Sequence, residues 1–309
     1  MKAMQVVAKE HGLEVSAADR PQPAAGAGEV LVEVHAAGIT ATELEWSPTT
    51  QTKDGKPRAN AIPAHEFSGI VAACGAGVDQ FRVGQAVYGM NDWYSEGALA
   101  EFCVTLPSSI ASKPASLSHV EAAAVPISAL TAWQGLLTHA KLQRGESVLI
   151  HGGSGGVGTF AIQIAKLHGA RVIATASGDN LDVMRRLGAD EVIDYKATRF
   201  EDVVSDVDVV FDTAGGDTLA RSWGVLGKNG RLVTIVSGGG EHEEQRVKDA
   251  FFIVDPDQQQ LAEVARLIDA GTLKVLLRVH VPLADAELAF NGKAEHQTGY
   301  GKTVVSVRP

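Results

Sequence analysis

The apolar positions of this chain follow two rhythms. Up to Ser118 they fall in short blocks or in alternation, at residues 4–8, 29–36, 67–74, 86–89 and 98–104. Within 29–36, Val30, Val32 and Val34 alternate with Glu33 and His35, the period of two that marks a half-buried strand. Clusters such as Pro21-Gln22-Pro23 and Gly75-Ala76-Gly77 separate the runs as turns. Residues 47–61 are polar, carry Gly55 and Pro57, and read as a surface loop.

From Ser118 onward helical spacing takes over. Residues 120–137 are apolar at that spacing and are interrupted by Pro126. Strand-like runs at 147–150, 171–176, 191–193, 207–212 and 231–236 follow, with helical stretches at 181–187 and 218–226 between them. This alternation predicts a doubly wound parallel sheet with helices on both faces. Then come an amphipathic helix at 258–270, a further segment at 278–282, a short helix at 284–290 and a last strand at 302–307. The expected fold class is α/β. A β-rich lobe spans 1–122 and takes back residues from about 279 to 309, and the parallel-sheet lobe spans 123–278 and includes the helix at 258–270.

One stretch carries specific chemistry. The strand at 147–150 runs directly into glycines at 152, 153, 155, 156 and 158, and then into a helix marked by Phe160, Ile162, Ile164, Ala165 and Leu167. Gly153-Ser154-Gly155-Gly156-Val157-Gly158 fits G-x-G-x-x-G, the turn that receives a dinucleotide pyrophosphate. Its first glycine makes the turn, the second lets the phosphate approach the backbone, and the third lets helix pack on strand. The unpaired N–H groups at the start of the helix then face the anion.

Composition narrows the function classes. A length of 309 residues makes two lobes the natural prior, and 45% hydrophobic with 21% charged residues is ordinary for a globular protein. A formal charge of −10 argues against a general nucleic-acid surface. No apolar run long enough to span a membrane occurs. Residues 1–12 lack an apolar core of signal-peptide length and contain Lys9, Glu10 and His11, so a cytoplasmic protein is expected. Cys74 and Cys103 are too few for a disulfide framework or a four-thiolate zinc site. No Gly-x-Ser-x-Gly elbow supports a hydrolase.

Several phrases resemble the medium-chain dehydrogenase/reductase superfamily, and specifically its zinc-independent quinone oxidoreductase branch. They are Ala36-Ala37-Gly38-Ile39, His65-Glu66-Phe67-Ser68-Gly69 with Val83-Gly84, and Ser128-Ala129-Leu130-Thr131-Ala132-Trp133. Gly188-Ala189-Asp190, Val192-Ile193-Asp194-Tyr195 and Gly301-Lys302-Thr303-Val304-Val305 extend the likeness over nearly the whole chain. The resemblance implies a GroES-like first lobe, a Rossmann second lobe and a cleft between them that holds nicotinamide against substrate. It also implies a homodimer joined edge to edge, for which the apolar residues 250–254 are the candidate strand. Where zinc-dependent relatives carry a ligand cysteine, this chain has Thr40, and no cysteine follows Cys103. Only His65, with Glu66, is left as a ligand, so no metal is expected and His65 reads as a buried, hydrogen-bonded residue.

The same resemblance assigns roles along the cofactor, expected to be NADPH. Thr131, Gly153, Ser154, Gly155, Gly156 and Val157 would line the nicotinamide and pyrophosphate. Ser177 and Tyr195 would lie at the adenosine end, and Val236, Ser237, Phe252 and Val254 would flank the nicotinamide, with Phe252 counted also on the substrate side. The strand at 171–176 ends in Ala176-Ser177-Gly178 without the acid that reads an NAD ribose, although Asp179 is near and Asn180 stands where a lysine would help. Lys196 and Arg199 are candidate phosphate partners. Trp46, Trp93 and Tyr94 offer either an aromatic wall for a flat substrate or satellite core packing. Thr40 and Tyr94 are the candidate weak proton donors. The implied activity is NADPH-dependent reduction of quinones or activated enones, small molecules that accept hydride without a Lewis acid. An enoyl thioester reductase or a non-catalytic NADPH-binding sensor or scaffold are the alternatives.

Overall fold

A computed structural model of the protein describes residues 1–10, 12–236, 244–294 and 297–308. The chain divides into two units. Unit 1 comprises Met1–Ile127, Asp255–Thr298 and Lys302–Pro309, and unit 2 comprises Ser128–Val254 and Gly299–Gly301.

Unit 1 opens with a hairpin, β1 (Lys2–Lys9) paired antiparallel with β2 (Gly12–Asp19). The hydrophobic pattern reveals β1 and misses β2, because Val15 is the one fully buried position of β2 and its neighbours are small or charged. β3 (Val30–Ile39), β4 (Glu66–Cys74), β5 (Ala86–Met90), β6 (Phe102–Thr105) and β7 (Ile110–Ser112) follow. The segment read as a loop at 47–61 holds a single helical turn, Ser47–Thr50, and a bridge between Gln51 and Pro57. Ser118 then starts the helix His119–Ala123 through a reciprocal capping box with Glu121. Pro126 begins the next helix at its first position, so the proline seen inside 120–137 separates two helices.

In unit 2 the parallel strands are β8 (Ser147–Ile150), β9 (Arg171–Ala176), β10 (Glu191–Asp194), β11 (Val207–Asp212) and β12 (Leu226–Thr234). Their order is β10-β9-β8-β11-β12, so the winding reverses beside β8. In such sheets ligands bind outside the carboxyl ends of the strands at the point of reversal. Residues 250–254, expected as an apolar edge strand, do not form one. Ala250 ends the helix Gln245–Ala250, Phe251 makes an isolated bridge to Thr234, and Phe252 and Val254 turn inward while Ile253 stays exposed.

The chain returns to unit 1 with the helix Gln258–Asp269, started by the Asp257 side chain accepting from the Gln260 amide at 2.9 Å. This helix, expected with the parallel-sheet lobe, belongs to unit 1. Leu261 accepts a 2.6 Å hydrogen bond from Tyr88 Oη, and Asp269 accepts from the amides of Ala115 and Ser116. Leu261, Val264, Leu267 and Ile268 lie on its buried stripe, each contributing ~1.5–3 kcal/mol. The last strands, β13 (Leu277–Pro282) and β14 (Lys302–Ser306), complete a seven-stranded sheet ordered β13-β14-β3-β4-β5-β7, with β6 paired to β3. The final strand thus returns to the first lobe, as its isolation from the α/β rhythm suggests.

His151, at the end of β8, shows how unit 2 treats a buried titratable group. It is 1% exposed, with Nε2 3.0 Å from Ser222 Oγ and Nδ1 3.2 Å from Thr175 Oγ1. Ser222 already donates its proton to the Thr218 carbonyl at 2.6 Å, so His151 must donate from Nε2 and accept at Nδ1. Burial, with the nearby charge of Arg221, pushes its pKa down from 6.5 to about 4. Its contribution to stability is full above the unfolded value of 6.5 and is lost as pH falls toward 4. That loss is ~1.4 kcal/mol per pH unit, about 3 kcal/mol in all. Urea unfolding between pH 7 and 4.5 should show the decline. Nitrogen NMR should find the His151 ring in its neutral Nε2–H form at pH 5, and an imidazolium there would contradict this account.

Candidate active site

The glycine turn occupies the point where unit 2 reverses its winding. Gly152 has φ +73°, Gly153 N–H donates to the Thr175 carbonyl at 2.9 Å, and Gly155 N–H donates to the Gly152 carbonyl at 3.0 Å. A Cβ on Gly158 would stand 2.2 Å from the Gly152 carbonyl oxygen and 2.7 Å from Gly153 Cα, so helix and turn meet backbone to backbone. Gly155 is different. A Cβ there would meet only the Gly152 oxygen, at an ordinary 3.4 Å. Gly155 also precedes the helix Gly156–Leu167 without any side-chain cap, so the amides of Val157 and Gly158 meet no capping side chain. Three glycines therefore serve the fold, and Gly155 keeps a cradle open at the start of the helix. These residues fit a dinucleotide pyrophosphate.

Unit 2 holds the expected cofactor residues in differing degrees of burial. Thr131 is buried, Val236 and Ser177 are half-buried, and Tyr195 is exposed. Ser237 lies outside the described residues. Phe252 is 6% exposed, stacked on His139 with centroids 4.3 Å apart and packed near Phe211. Val254 is likewise buried. Gly135, which a Cβ would drive into both phenyl rings, lies in a π-helical turn, Gln134–His139.

Two residues near the turn escape pattern reading. Gly301 donates its amide to the Ser154 carbonyl at 2.9 Å and forms a parallel bridge with Gly155. Gly299 accepts from Asn180 Nδ2, which also donates to Ser177 Oγ at 2.9 Å, and a Cβ on Gly299 would collide with Asn180. The spaced glycines of Gly299-Tyr300-Gly301 are the sequence signal for this strap. At the ribose end, Asp194 Oδ2 would lie 2.9 Å from a Cβ on Gly178, bringing a carboxylate from the adjacent strand to the tip of β9. Arg199 is held by Glu201 at 2.6 Å, whereas the Lys196 side chain is exposed.

Unit 1 contributes a second group of side chains. Register pairs Ile39 with Thr303 and Gly38 with both Val304 and Glu66, so Thr40, Lys302 and Glu66 sit at one end of three neighbouring strands. Lys302 Nζ is 2.8 Å from Thr40 Oγ1 and 2.5 Å from Glu66 Oε1, and Glu66 Oε2 accepts from the Ile127 amide at 2.9 Å. Burial raises the Glu66 pKa, and the Lys302 charge opposes that rise. Glycine is required at position 38, because a Cβ would approach Ala123 O to 2.5 Å and Glu66 Cδ to 2.8 Å.

Thr40 also begins the turn Ala41–Glu45, which presents Glu43 to His65. His65 is 2% exposed, with Nδ1 2.5 Å from Glu43 Oε1 and Nε2 3.3 Å from the Ser95 carbonyl. Both ring nitrogens face protein oxygens, as expected of a buried, hydrogen-bonded histidine. Among the described residues no group of three or more His, Cys, Asp or Glu is arranged to hold an ion. Trp93 lies against His65, and Trp46 meets Trp93 edge-on at 5.1 Å. Tyr94 is 40% exposed. The structure thus joins Trp46 to Trp93 and Thr40 to Lys302; the Lys302 and Glu43 contacts are invisible to local pattern because they are long-range.

The comparisons agree with this division of labour. The alcohol dehydrogenase GroES-like domain family matches residues 26–115, and the zinc-binding dehydrogenase family matches residues 187–305. A mouse protein, mitochondrial NAD(P)H oxidoreductase RTN4IP1, is 33% identical over 90% of this chain and 82% of its own length. The chain belongs to the medium-chain dehydrogenase/reductase superfamily. Within it, the quinone oxidoreductase from Coxiella burnetii superposes with a TM-score of 0.88 at 29% identity, covering 100% of this chain and 99% of that one. The CurK enoyl reductase superposes with a TM-score of 0.83 at 28% identity, with 100% of both chains covered. This medium-chain member is zinc-independent and quinone oxidoreductase-like, an oxidoreductase that uses a nicotinamide cofactor. The cytoplasmic expectation is corrected by the mitochondrial name of its mouse relative. That expectation tested for an apolar leader, a feature that amphipathic organelle-targeting segments lack.

The two kinds of glycine separate by experiment. Gly158→Ala should lower stability by ~1–3 kcal/mol, since backbone must move to admit the methyl. Gly155→Val should leave the unfolding midpoint nearly unchanged and weaken nucleotide binding at least tenfold. Thermal unfolding and NADPH fluorescence titration check both, and a Gly155→Val protein that binds normally would refute the cradle.

Proposed function

We propose that this protein reduces quinones or activated enones with NADPH. The donor set of unit 1 carries the proposal: at the site where a metal would polarise a substrate oxygen, His65 is committed to Glu43 and Ser95, and Thr40 presents a hydroxyl. Substrates that accept hydride must then be electron-poor through their own conjugation. Bound at the cradle of Gly155, a nicotinamide would supply the hydride, and Thr40 is the candidate weak proton donor. Orientation can lower the barrier by ~7–11 kcal/mol, more than a weak acid contributes. The likeness to the CurK enoyl reductase supports enoyl thioesters as the second substrate class.

NADPH is favoured over NADH because the β9 tip, Ala176-Ser177-Gly178, has no acid to read a ribose. Ser177 Oγ accepts from Asn180 and keeps its own proton for a phosphate, and Lys196 is the candidate cation. The Asp194 carboxylate beside Gly178 opposes this preference. A stopped-flow screen of both coenzymes against quinones, simple enones and enoyl thioesters tests the whole proposal. Quinones or enones should be turned over, with kcat/KM higher for NADPH, and equal or better efficiency with NADH would overturn the coenzyme assignment.

The active species is proposed to be a homodimer. β12 supports this, as the edge of the parallel sheet that is bridged only at Thr234 among the described residues. Light scattering at micromolar concentration should give twice the chain mass, and a value of 32.4 kDa would reject the dimer.

A further inference from the structure

We infer that Lys302 is the positioning residue that makes the Thr40 hydroxyl a proton donor, a role that rests on the reductase reading above. An ammonium carries three N–H donors and no lone pair, so the 2.8 Å contact between Lys302 Nζ and Thr40 Oγ1 has only one polarity: Lys302 donates and Thr40 accepts. The hydroxyl therefore keeps its own proton, and among the described residues Thr40 donates it to none. Thr40 is half-buried, so that proton is presented outward from the protein's own bonds. The adjacent positive charge polarises the O–H bond and makes it a better donor than an isolated threonine.

The surroundings hold this polarity in place. Glu66 Oε1 fixes Lys302 at 2.5 Å, and the Ile127 amide fixes Glu66 through its other oxygen. Glu66 is fully buried and the Lys302 side chain is 10% exposed, so the ammonium is not free to swing into solvent. Gly38 leaves the room that Glu66 occupies.

The proton inventory closes. As hydride reaches the electron-poor carbon of the acceptor, the displaced π pair moves onto the carbonyl oxygen. The Thr40 O–H bond breaks and its proton passes to that oxygen, while a Lys302 N–H bond breaks and its proton passes to Thr40 Oγ1. The product leaves as the enol or hydroquinone oxygen, protonated, with the nicotinamide oxidised. The neutral Lys302 amine regains its proton from water.

A double-mutant cycle tests the inference. Removing Lys302 alone strands the Glu66 charge and endangers folding, so the pair is replaced together as Lys302→Met with Glu66→Gln. With NADPH and a small enone, Thr40→Ala should slow turnover about tenfold and remove the solvent deuterium isotope effect. The paired replacement should lose about the same factor, the triple variant no more than either, and Lys302→Arg, whose guanidinium keeps its protons, should not retain the rate. In the cofactor-free protein, nitrogen NMR should show a slowly exchanging Lys302 ammonium in the wild type that exchanges faster in Thr40→Ala. Losses that multiply to about a hundredfold, an unchanged isotope effect, or identical ammonium exchange would overturn the role of Lys302. A wild type inert toward every quinone and enone would instead overturn the reductase reading on which it rests.

Discussion

Nothing larger than hydrogen fits between Gly158 and the carbonyl of Gly152, and much of unit 2 follows from that contact. It lets the helix Gly156–Leu167 start directly over the end of β8, so the first amides of the helix emerge at the point where the sheet reverses its winding. A bulkier turn would lift the helix and bury those amides or aim them elsewhere. The Gly301 amide braces the same turn through Ser154, which makes a residue far along the chain part of the anion cradle.

What could be read from sequence follows the range of the forces involved. β8, β9 and β11 were legible to the residue, because parallel central strands are short, apolar and bounded by turns. β2 was not, since its pairing with β1 depends on the backbone more than on apolar side chains. The helix Gln258–Asp269 was legible as an amphipathic helix but not by address; its partners Tyr88, Ala115 and Ser116 lie more than a hundred residues away. Residues 250–254 misled because a run of apolar residues marks burial without stating its geometry, and Phe252 was satisfied by His139 and Phe211.

The site divides in the same way. Gly155 and its neighbours announce themselves, because a glycine pattern between strand and helix is local chemistry. Thr40 was visible as a departure from a ligand pattern, but its neighbour Lys302 appeared only as a letter in a closing motif. An antiparallel register, not proximity in sequence, makes them partners. Asp194 was similarly hidden, reaching the tip of β9 from the next strand. Charged groups inside a protein are chosen in pairs, and one member of a pair rarely predicts the position of the other.

That pairing across the chain has a bearing on biogenesis. Unit 2 is almost continuous in sequence, whereas unit 1 is assembled from the two ends of the chain. While a nascent chain is still short of β14, the Ala36–Ile39 edge of β3 has no partner on that side and Glu66 has no counter-charge. Closing the first sheet around an uncompensated carboxylate is costly, which couples this part of unit 1 to the pairing of β14 with β3. The ion pair beside Thr40 thus ties the two distant segments of unit 1 together.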